Sequence, residues 1–305
     1  MKISIVSPVY RAENIVEKLV EELELTLSSI TNNYEIILVD DRSPDKSWEK
    51  LKKINSANKN VKVARLSKNF GQHAAIIAGL NLVKGEWIVV MDCDLQDQPK
   101  EIVKLFKKAQ EGYDIVLAKR TVRNDSIQKK LSSYIFYVIF NYFADLQINR
   151  QVANFGIYNE KVIKSVLNIN DKIKFFPLFV NWVGYNSTSI SVEHNSRMEG
   201  GSSYSISKLI SLAFNVIISF SDKPLKLFIS FGLLTSGLSF IIGLYYFTQY
   251  LLGNISEPGY TSLILSIWFL SGLVISILGV VGIYIGKTFN QTRNRPIYIF
   301  DEIKE

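Results

Sequence analysis

The chain has 305 residues, enough for one large domain or two smaller ones, with a formal net charge of +7 and 48% hydrophobic residues. A single cysteine, Cys93, excludes an internal disulfide and fits a reducing compartment. Positive charge favours anionic partners, phosphates or acidic lipid, whereas basic residues this dispersed argue against a nucleic-acid partner.

The first part of the chain alternates between strand and helix patterns. A short apolar strand at 3–7 follows Met1 and Lys2 directly, so no signal peptide is expected and the N-terminal part is expected to stay cytosolic. Ile15, Leu19, Leu23 and Leu27 then recur at helical spacing, with Glu and Lys between them. The pattern predicts a second strand at 35–40, a Lys-rich helix, a third strand at 61–66 and a helix near 74–83. Further strands fall at 87–91 and 114–118, on either side of a helix at 100–110. Such alternation predicts an α/β domain whose parallel sheet is covered on both faces.

Open sheets of that kind bind ligands at the carboxyl ends of their strands. There the sequence places Pro8, Tyr10 and Glu13 after the first strand, Asp40 and Asp41 after the second, and Asn69 after the third. The fourth strand runs from Ile88 to Met91 straight into Asp92-Cys93-Asp94-Leu95-Gln96-Asp97, and Pro99 starts the next helix. Of Asp92 and Asp94, one can reach a divalent cation while the other takes a sugar hydroxyl or a supporting contact. An acidic turn that caps the helix is the competing reading of the same residues. No Gly-x-Gly-x-x-Gly follows the first strand and there is no P-loop, so the phosphate turns of those two folds are missing.

Residues 126–146 mix Lys129 and Lys130 with aromatic and aliphatic side chains. Their apolar part is too short to span a bilayer and fits either a helix on the membrane surface or an ordinary buried helix. Arg120 and Arg123 at its start suit phosphate oxygens, with solvated surface arginine as the alternative. Arg197 precedes Gly200, Gly201 and Ser202, a flexible loop that lets a guanidinium fold over a diphosphate, with a solvated loop arginine as the alternative. Charge then nearly vanishes. The stretches 227–247 and 262–285 are uncharged and long enough for spans of about 20 residues, and 253–259 between them holds no Lys or Arg. Lys223 and Lys226 flank one end and Lys287, Arg293 and Arg295 the other, which predicts that both flanks are cytosolic. The expected organisation is a cytosolic domain at 1–205, an interfacial amphipathic helix at 206–222, a transmembrane hairpin at 223–290 and a cytosolic tail at 291–305.

Five blocks carry a family resemblance: Ser7-Pro8-Val9-Tyr10 with Glu13; Val39-Asp40-Asp41-Arg42-Ser43-Pro44-Asp45; Asn69-Phe70-Gly71; Met91 through Asp97; and Arg197 through Tyr204. They resemble the family-two inverting glycosyltransferases of GT-A fold, above all the polyprenyl-phosphate glycosyltransferases. The resemblance implies a multi-pass enzyme of the plasma membrane that needs Mg²⁺ or Mn²⁺. Its implied reaction moves one sugar, glucose or a related hexose, from a nucleotide-diphosphate sugar to a polyprenyl phosphate such as undecaprenyl phosphate, on the cytosolic face.

By the same resemblance Asp94 and Gln96 hold the metal, and Asp92, Asp94 and Arg197 serve catalysis. Pro8, Tyr10, Glu13, Asp40, Asn69 and Asp92 surround the donor, and Arg120, Arg123, Arg197 and Ser202 meet the phosphates of lipid and diphosphate. Contact with membrane lipid and a homo-oligomer, a tetramer in relatives, are implied as well. Two positions depart from the pattern: Asn154-Phe155-Gly156 stands where many relatives have Asp-Phe-Arg, and Ser203 where they often have Lys. Asn154 cannot act as a general base. A lipid phosphate with a second pKa of about 6 is already largely anionic at neutral pH and needs none. Cys93 is expected to be a small filler, not a nucleophile. The competing functions are a processive polysaccharide synthase, whose Gln-x-x-Arg-Trp motif is missing here, and a nucleotide-binding membrane scaffold that has lost catalysis.

Overall fold

The computed structural model describes residues 2–120, 152–169, 171, 175–193, 223–253, 259–293 and 295–305. These divide into two compact units, one holding the strands and one holding two long helices. The helices expected at 126–146 and 206–222 lie outside the described residues.

Strands β1 (Ile3–Val9), β2 (Tyr34–Asp40), β3 (Val61–Leu66), β4 (Trp87–Val90) and β5 (Ile115–Arg120) fall where the apolar runs predict them. Every residue of β1 is buried, as is β2 from Glu35 onward, because a strand covered by helices on both faces has no solvent side. Helices α1 (Val16–Ser28), α2 (Ser47–Ala57) and α3 (Gln72–Leu80) follow β1, β2 and β3. After β4 the chain enters α4 (Ile102–Ala109) through a 3-10 turn, Pro99–Glu101.

On one face Ile3, Ile5, Ile36 and Leu38 share an apolar cluster with Leu19 and Leu23 of α1, Trp48 of α2 and Leu105 of α4. Helix α3 covers other strand residues at very close range. A Cβ on Gly79 would stand 2.5 Å from Val6 Cγ1 and 3.1 Å from Val39 Cγ2, so glycine is what lets this helix lie against the sheet.

Three further strands have no counterpart in the sequence expectations: β6 (Val152–Asn159), β7 (Ser187–Val192) and β8 (Phe300–Lys304). Helices α5 (Glu160–Leu167) and α6 (Phe176–Trp182) lie between β6 and β7 in sequence. The eight strands form one sheet in the order β7-β5-β6-β4-β1-β2-β3-β8. Pairings β1–β2, β1–β4, β2–β3 and β5–β7 are parallel, while β6 runs antiparallel to both β4 and β5. The sheet is therefore mostly parallel, as expected, with an antiparallel strand inserted. Strand β8 pairs antiparallel with β3, Ala64 opposite Ile303 and Arg65 opposite Glu302. The segment expected as a tail thus carries a strand, which covers the free edge of β3.

The second unit contains α7 (Lys223–Leu251) and α8 (Tyr260–Thr292). Within α8, Ser266–Phe289 is 24 residues with a mean hydropathy of 2.2, the one segment among the described residues long and apolar enough to cross a membrane by that measure. Trp268, Ile275 and Leu278 on α8 and Leu227, Ile241 and Tyr245 on α7 are exposed. In water so much contiguous apolar surface is unfavourable.

Candidate active site

The parallel register brings the strand ends side by side: Val9 lies opposite Asp40, Asp40 opposite Arg65, and Val6 opposite Val90. The loops after β1, β2, β3 and β4 therefore leave one edge of the sheet together. Pro8, Tyr10, Asp40, Asn69, Asp92 and Asp94 are gathered there from four strands. Strands β4 and β5 are both antiparallel to β6 and so run the same way, which brings the backbone of Arg120, the last residue of β5, to that edge too. Arg123, Arg197, Ser202 and Ser203 lie outside the described residues.

The first two loops are stitched to each other. Arg11 N–H donates to Ser43 Oγ at 3.1 Å, Ala12 N–H to Ser47 Oγ at 2.9 Å, and Lys46 N–H to Glu13 Oε2 at 2.9 Å. A cleft of about 340 Å³ lies between them, lined by Arg11, Glu13, Asn14, Pro44 and Asp45 among others. Pro8 is buried in β1, whereas Tyr10 is 44% exposed with the Arg11 guanidinium 5.4 Å over its ring.

Asp40 is fully buried. Its Oδ1 accepts from Ser43 N–H at 3.1 Å, and its Oδ2 faces Arg65 Nε at 3.2 Å, an ion pair without hydrogen-bond alignment. Burial raises its pKa against the opposing pull of Ser43 and Arg65. Asp41 is buried as well and holds the next loop, accepting from Phe70 N–H at 2.7 Å and Gly71 N–H at 2.8 Å. Burial raises its pKa too, opposed by those two backbone bonds. Asn69, just ahead of the held residues, stays exposed.

The acid block after β4 is the most perturbed part of the edge. Asp92 is half-buried, and its Oδ1 accepts from Gln72 Nε2 at 2.6 Å. Burial, then the charges of Asp94 and Asp97, push its pKa up to about 6, while hydrogen bonds from Asn154 and Gln72 pull the other way. Strands β4 and β6 pair Val90 with Gly156, and continuing that register by two residues sets Asn154 beside Asp92. Asp94 Oδ1 accepts from Gln96 N–H at 3.2 Å across a turn in which Leu95 takes a φ of 55°. Asp97 is buried, and the residue capping the following 3-10 turn is Gln98, with no side-chain cap. Cys93 has its thiol pKa pushed up to about 12 by burial, which fits a filler and not a nucleophile.

Three residues other than glycine have positive φ among the described residues: Arg11 at 53°, Arg42 at 56° and Leu95 at 55°. They stand in the loops after β1, β2 and β4, all at this edge. Each such conformation costs about 1–3 kcal/mol and clusters where function needs a particular backbone. None of the three is a residue that advertises a left-handed turn, so the sequence carried no signal for them. Gln72 had none either. The glycine of Asn154-Phe155-Gly156 does have a local cause: a Cβ there would stand 2.8 Å from the Tyr158 hydroxyl and 3.0 Å from Val116 O.

Among the described residues no three His, Cys, Asp or Glu side chains converge to hold a metal by themselves. Acids gathered at the carboxyl ends of a mostly parallel α/β sheet mark the edge at which such folds, the GT-A type among them, bind their ligands. The chain belongs to glycosyl transferase family 2, whose sequence profile matches residues 4–168. It is 34% identical, over 97% of its length and 92% of the relative's, to an uncharacterized glycosyltransferase of Bacillus subtilis, YkcC. It is 32% identical, over 99% of its length and 94% of the relative's, to undecaprenyl-phosphate 4-deoxy-4-formamido-L-arabinose transferase of Photorhabdus laumondii. Among solved structures, S. aureus TarS 1–349 in complex with UDP-GlcNAc matches with a TM-score of 0.50 and 20% identity, over 72% of this chain and 66% of that one. Glucosyl-3-phosphoglycerate synthase of Mycobacterium tuberculosis, in complex with Mn²⁺, UDP and phosphoglyceric acid, matches with a TM-score of 0.50 and 14% identity, over 72% of this chain and 76% of that one. These two likenesses show the fold.

Proposed function

We propose that this transferase moves one sugar, glucose or a related hexose, from a nucleotide-diphosphate donor to a polyprenyl phosphate such as undecaprenyl phosphate, at the cytosolic face of the membrane. The observation that carries the reading is the strained acid turn that brings Asp92 and Asp94 out of β4, the strand next to β1, at the same sheet edge as the stitched loops of β1 and β2. A relative named for an undecaprenyl-phosphate sugar transfer, similar over nearly the whole chain, supports the acceptor.

Asp94 and the Gln96 side chain would hold Mg²⁺ or Mn²⁺. A carboxylate and an amide oxygen are hard donors that suit a cation which completes its shell with water and substrate phosphate. When bound, the cation offsets the charge that develops on the departing nucleotide diphosphate. Asp92 orients the donor, with Tyr10, Glu13 and Asn69 around base and ribose and Asp40 shaping their loop from beneath. Arg120, Arg123, Arg197 and Ser202 supply the phosphate contacts. The acceptor phosphate, already anionic, displaces the diphosphate in line, and the anomeric centre inverts.

Chain topology supports a hairpin in the membrane. Strands β7 and β8, before and after the long helices in sequence, belong to one sheet, so a chain that crosses once in between must cross back. If Ser266–Phe289 crosses, α7, with 29 residues, is the partner of matching length. The exposed apolar side chains of α7 and α8 then meet lipid or further copies of the chain in a homo-oligomer. The test is transfer by the detergent-purified full chain, with undecaprenyl phosphate, Mg²⁺ or Mn²⁺ and a panel of UDP- and GDP-sugars, read by mass spectrometry of the lipid. A single-sugar glycolipid is expected. Folded protein that makes none from any donor would overturn the reading.

A further inference from the structure

Two side-chain amides from different elements converge on Asp92. Gln72 Nε2 donates to its Oδ1 at 2.6 Å, and the Asn154 side chain makes a second hydrogen bond to the same carboxylate. Both donors are neutral, so they fix the direction of the carboxylate without cancelling its charge. Each is itself held. Gln72 is the first residue of α3 and follows Gly71, whose φ is 94° and whose N–H is bound by Asp41 at 2.8 Å. The far end of α3 lies against Val6 and Val39 through Gly79. Asn154 sits on β6, at the position that continues the β4 register beside Asp92.

Resting on the transfer reading above, we infer that Gln72 and Asn154 are positioning residues for the nucleotide-sugar donor: together they clamp the Asp92 carboxylate so that its remaining lone pairs face the donor. The departure at position 154 then has a use. An acid there would set one more carboxylate against Asp92, which already has Asp94 and Asp97 as neighbours, whereas an amide donates to it. Position 154 in this chain is a clamp where a base is impossible. A hydrogen bond to a charged group is worth enough to change donor affinity by about 10- to 100-fold when it is lost.

Gln72→Leu and the isosteric Gln72→Glu, made in the full chain, test this with Asn154→Leu as an independent second arm. Calorimetric titration with UDP-glucose, UDP-N-acetylglucosamine and GDP-mannose in Mn²⁺ identifies the donor the wild-type protein binds. Expected is a 10- to 100-fold loss of affinity for that donor in each variant, a matching rise in donor KM, an unchanged KM for undecaprenyl phosphate and a melting temperature close to wild type. In an Asp92→Ala background the same Gln72→Leu change should cost less than about 2-fold, since the group it positions is gone. Equal losses in both backgrounds, losses that track the melting temperature, or unaltered donor affinity would overturn the clamp while leaving the transfer reading intact. A wild-type protein that binds none of these three, nor any other donor of the UDP- and GDP-sugar panel, overturns the transfer reading, and the clamp with it.

Discussion

The two ends of one sheet are built on opposite terms. At the amino end Glu35 is 2% exposed and fully engaged, accepting from Ser4 Oγ at 2.5 Å, Lys84 N–H at 2.6 Å and Lys2 Nζ at 2.9 Å, with Lys62 Nζ at 3.1 Å. Burial alone would raise its pKa, yet Ser4, Lys2, Lys84 and Lys62 together hold it below the ordinary carboxylate value. At the carboxyl end the acids Asp40, Asp41 and Asp92 all have raised pKa values, and the three left-handed residues other than glycine among the described residues stand in the loops beside them. The amino end satisfies its charge with the chain's own groups. The carboxyl end keeps carboxylates with raised pKa values, in spite of their hydrogen bonds, beside a strained backbone, which is the arrangement expected of a site.

Breaking the carboxyl end should therefore abolish turnover and spare the fold. Asp94→Ala is expected to lower glycolipid formation by at least about 100-fold, with a melting temperature equal to wild type or slightly higher, because the charge of Asp94 weighs against Asp92. Product mass spectrometry and thermal unfolding of the same sample check both halves. A variant that loses stability along with activity would show that the acid turn also holds the fold.

The amino end should answer in the reverse sense. Glu35→Gln leaves Lys2 and Lys62 without their counter-charge, and since both are partly exposed the loss is about 2–3 kcal/mol of stability. Specific activity of the molecules still folded should not change. The pH dependence has a definite sign. A carboxylate whose folded pKa is lowered gives stability that is present above its unfolded value of about 4.5 and lost as pH falls through the folded value. Wild type should thus lose stability below about pH 4.5 more steeply than Glu35→Gln, measured by denaturant midpoint across that range.

The difference between the ends was only partly visible in the sequence. Strands β1 to β4 and the acid block at the end of β4 could be read because a buried parallel strand is a near-continuous apolar run and its end is abrupt. Strand β6 could not, since Asn154 and Gly156 interrupt its apolar pattern and nothing local says that it inserts antiparallel between β4 and β5. Strand β8, Phe300–Lys304, carries charge at Asp301, Glu302 and Lys304 and so reads as a solvated tail. Asp41 and Gln72 were invisible in their roles for another reason: each acts through one or two hydrogen bonds to residues 20 or more positions away. The role of Glu35 was hidden in the same way, because its partners Lys2 and Lys62 come from just ahead of β1 and from β3.

Between the two ends lies the packing that ties them. Gly79→Ala puts a methyl group 2.5 Å from Val6 Cγ1, so α3 must lift or Val6 must leave its rotamer, at a cost of about 1–3 kcal/mol. Because α3 begins with Gln72, lifting it should also raise donor KM, an effect that Glu35→Gln lacks. Equilibrium unfolding and donor kinetics on the two variants separate strain carried to the site from simple loss of stability.

The smallest effect expected is at the sheet's free edge. Arg42, left-handed in the loop after β2, pairs with Asp301 of β8, and both side chains are close to half exposed. An ion pair so open to water contributes about 0.5 kcal/mol or less, while the strand is held by its ladder to β3 from Val63 to Leu66 and by Ser67 N–H donating to Ile299 O at 2.9 Å. Asp301→Ala should therefore leave both melting temperature and donor KM near wild type. A rise in donor KM without loss of stability would mean that β8 governs the backbone of Arg42 through this one pair. The carboxyl end would then owe part of its strained geometry to the chain that returns from the apolar helices, and not to its own loops alone.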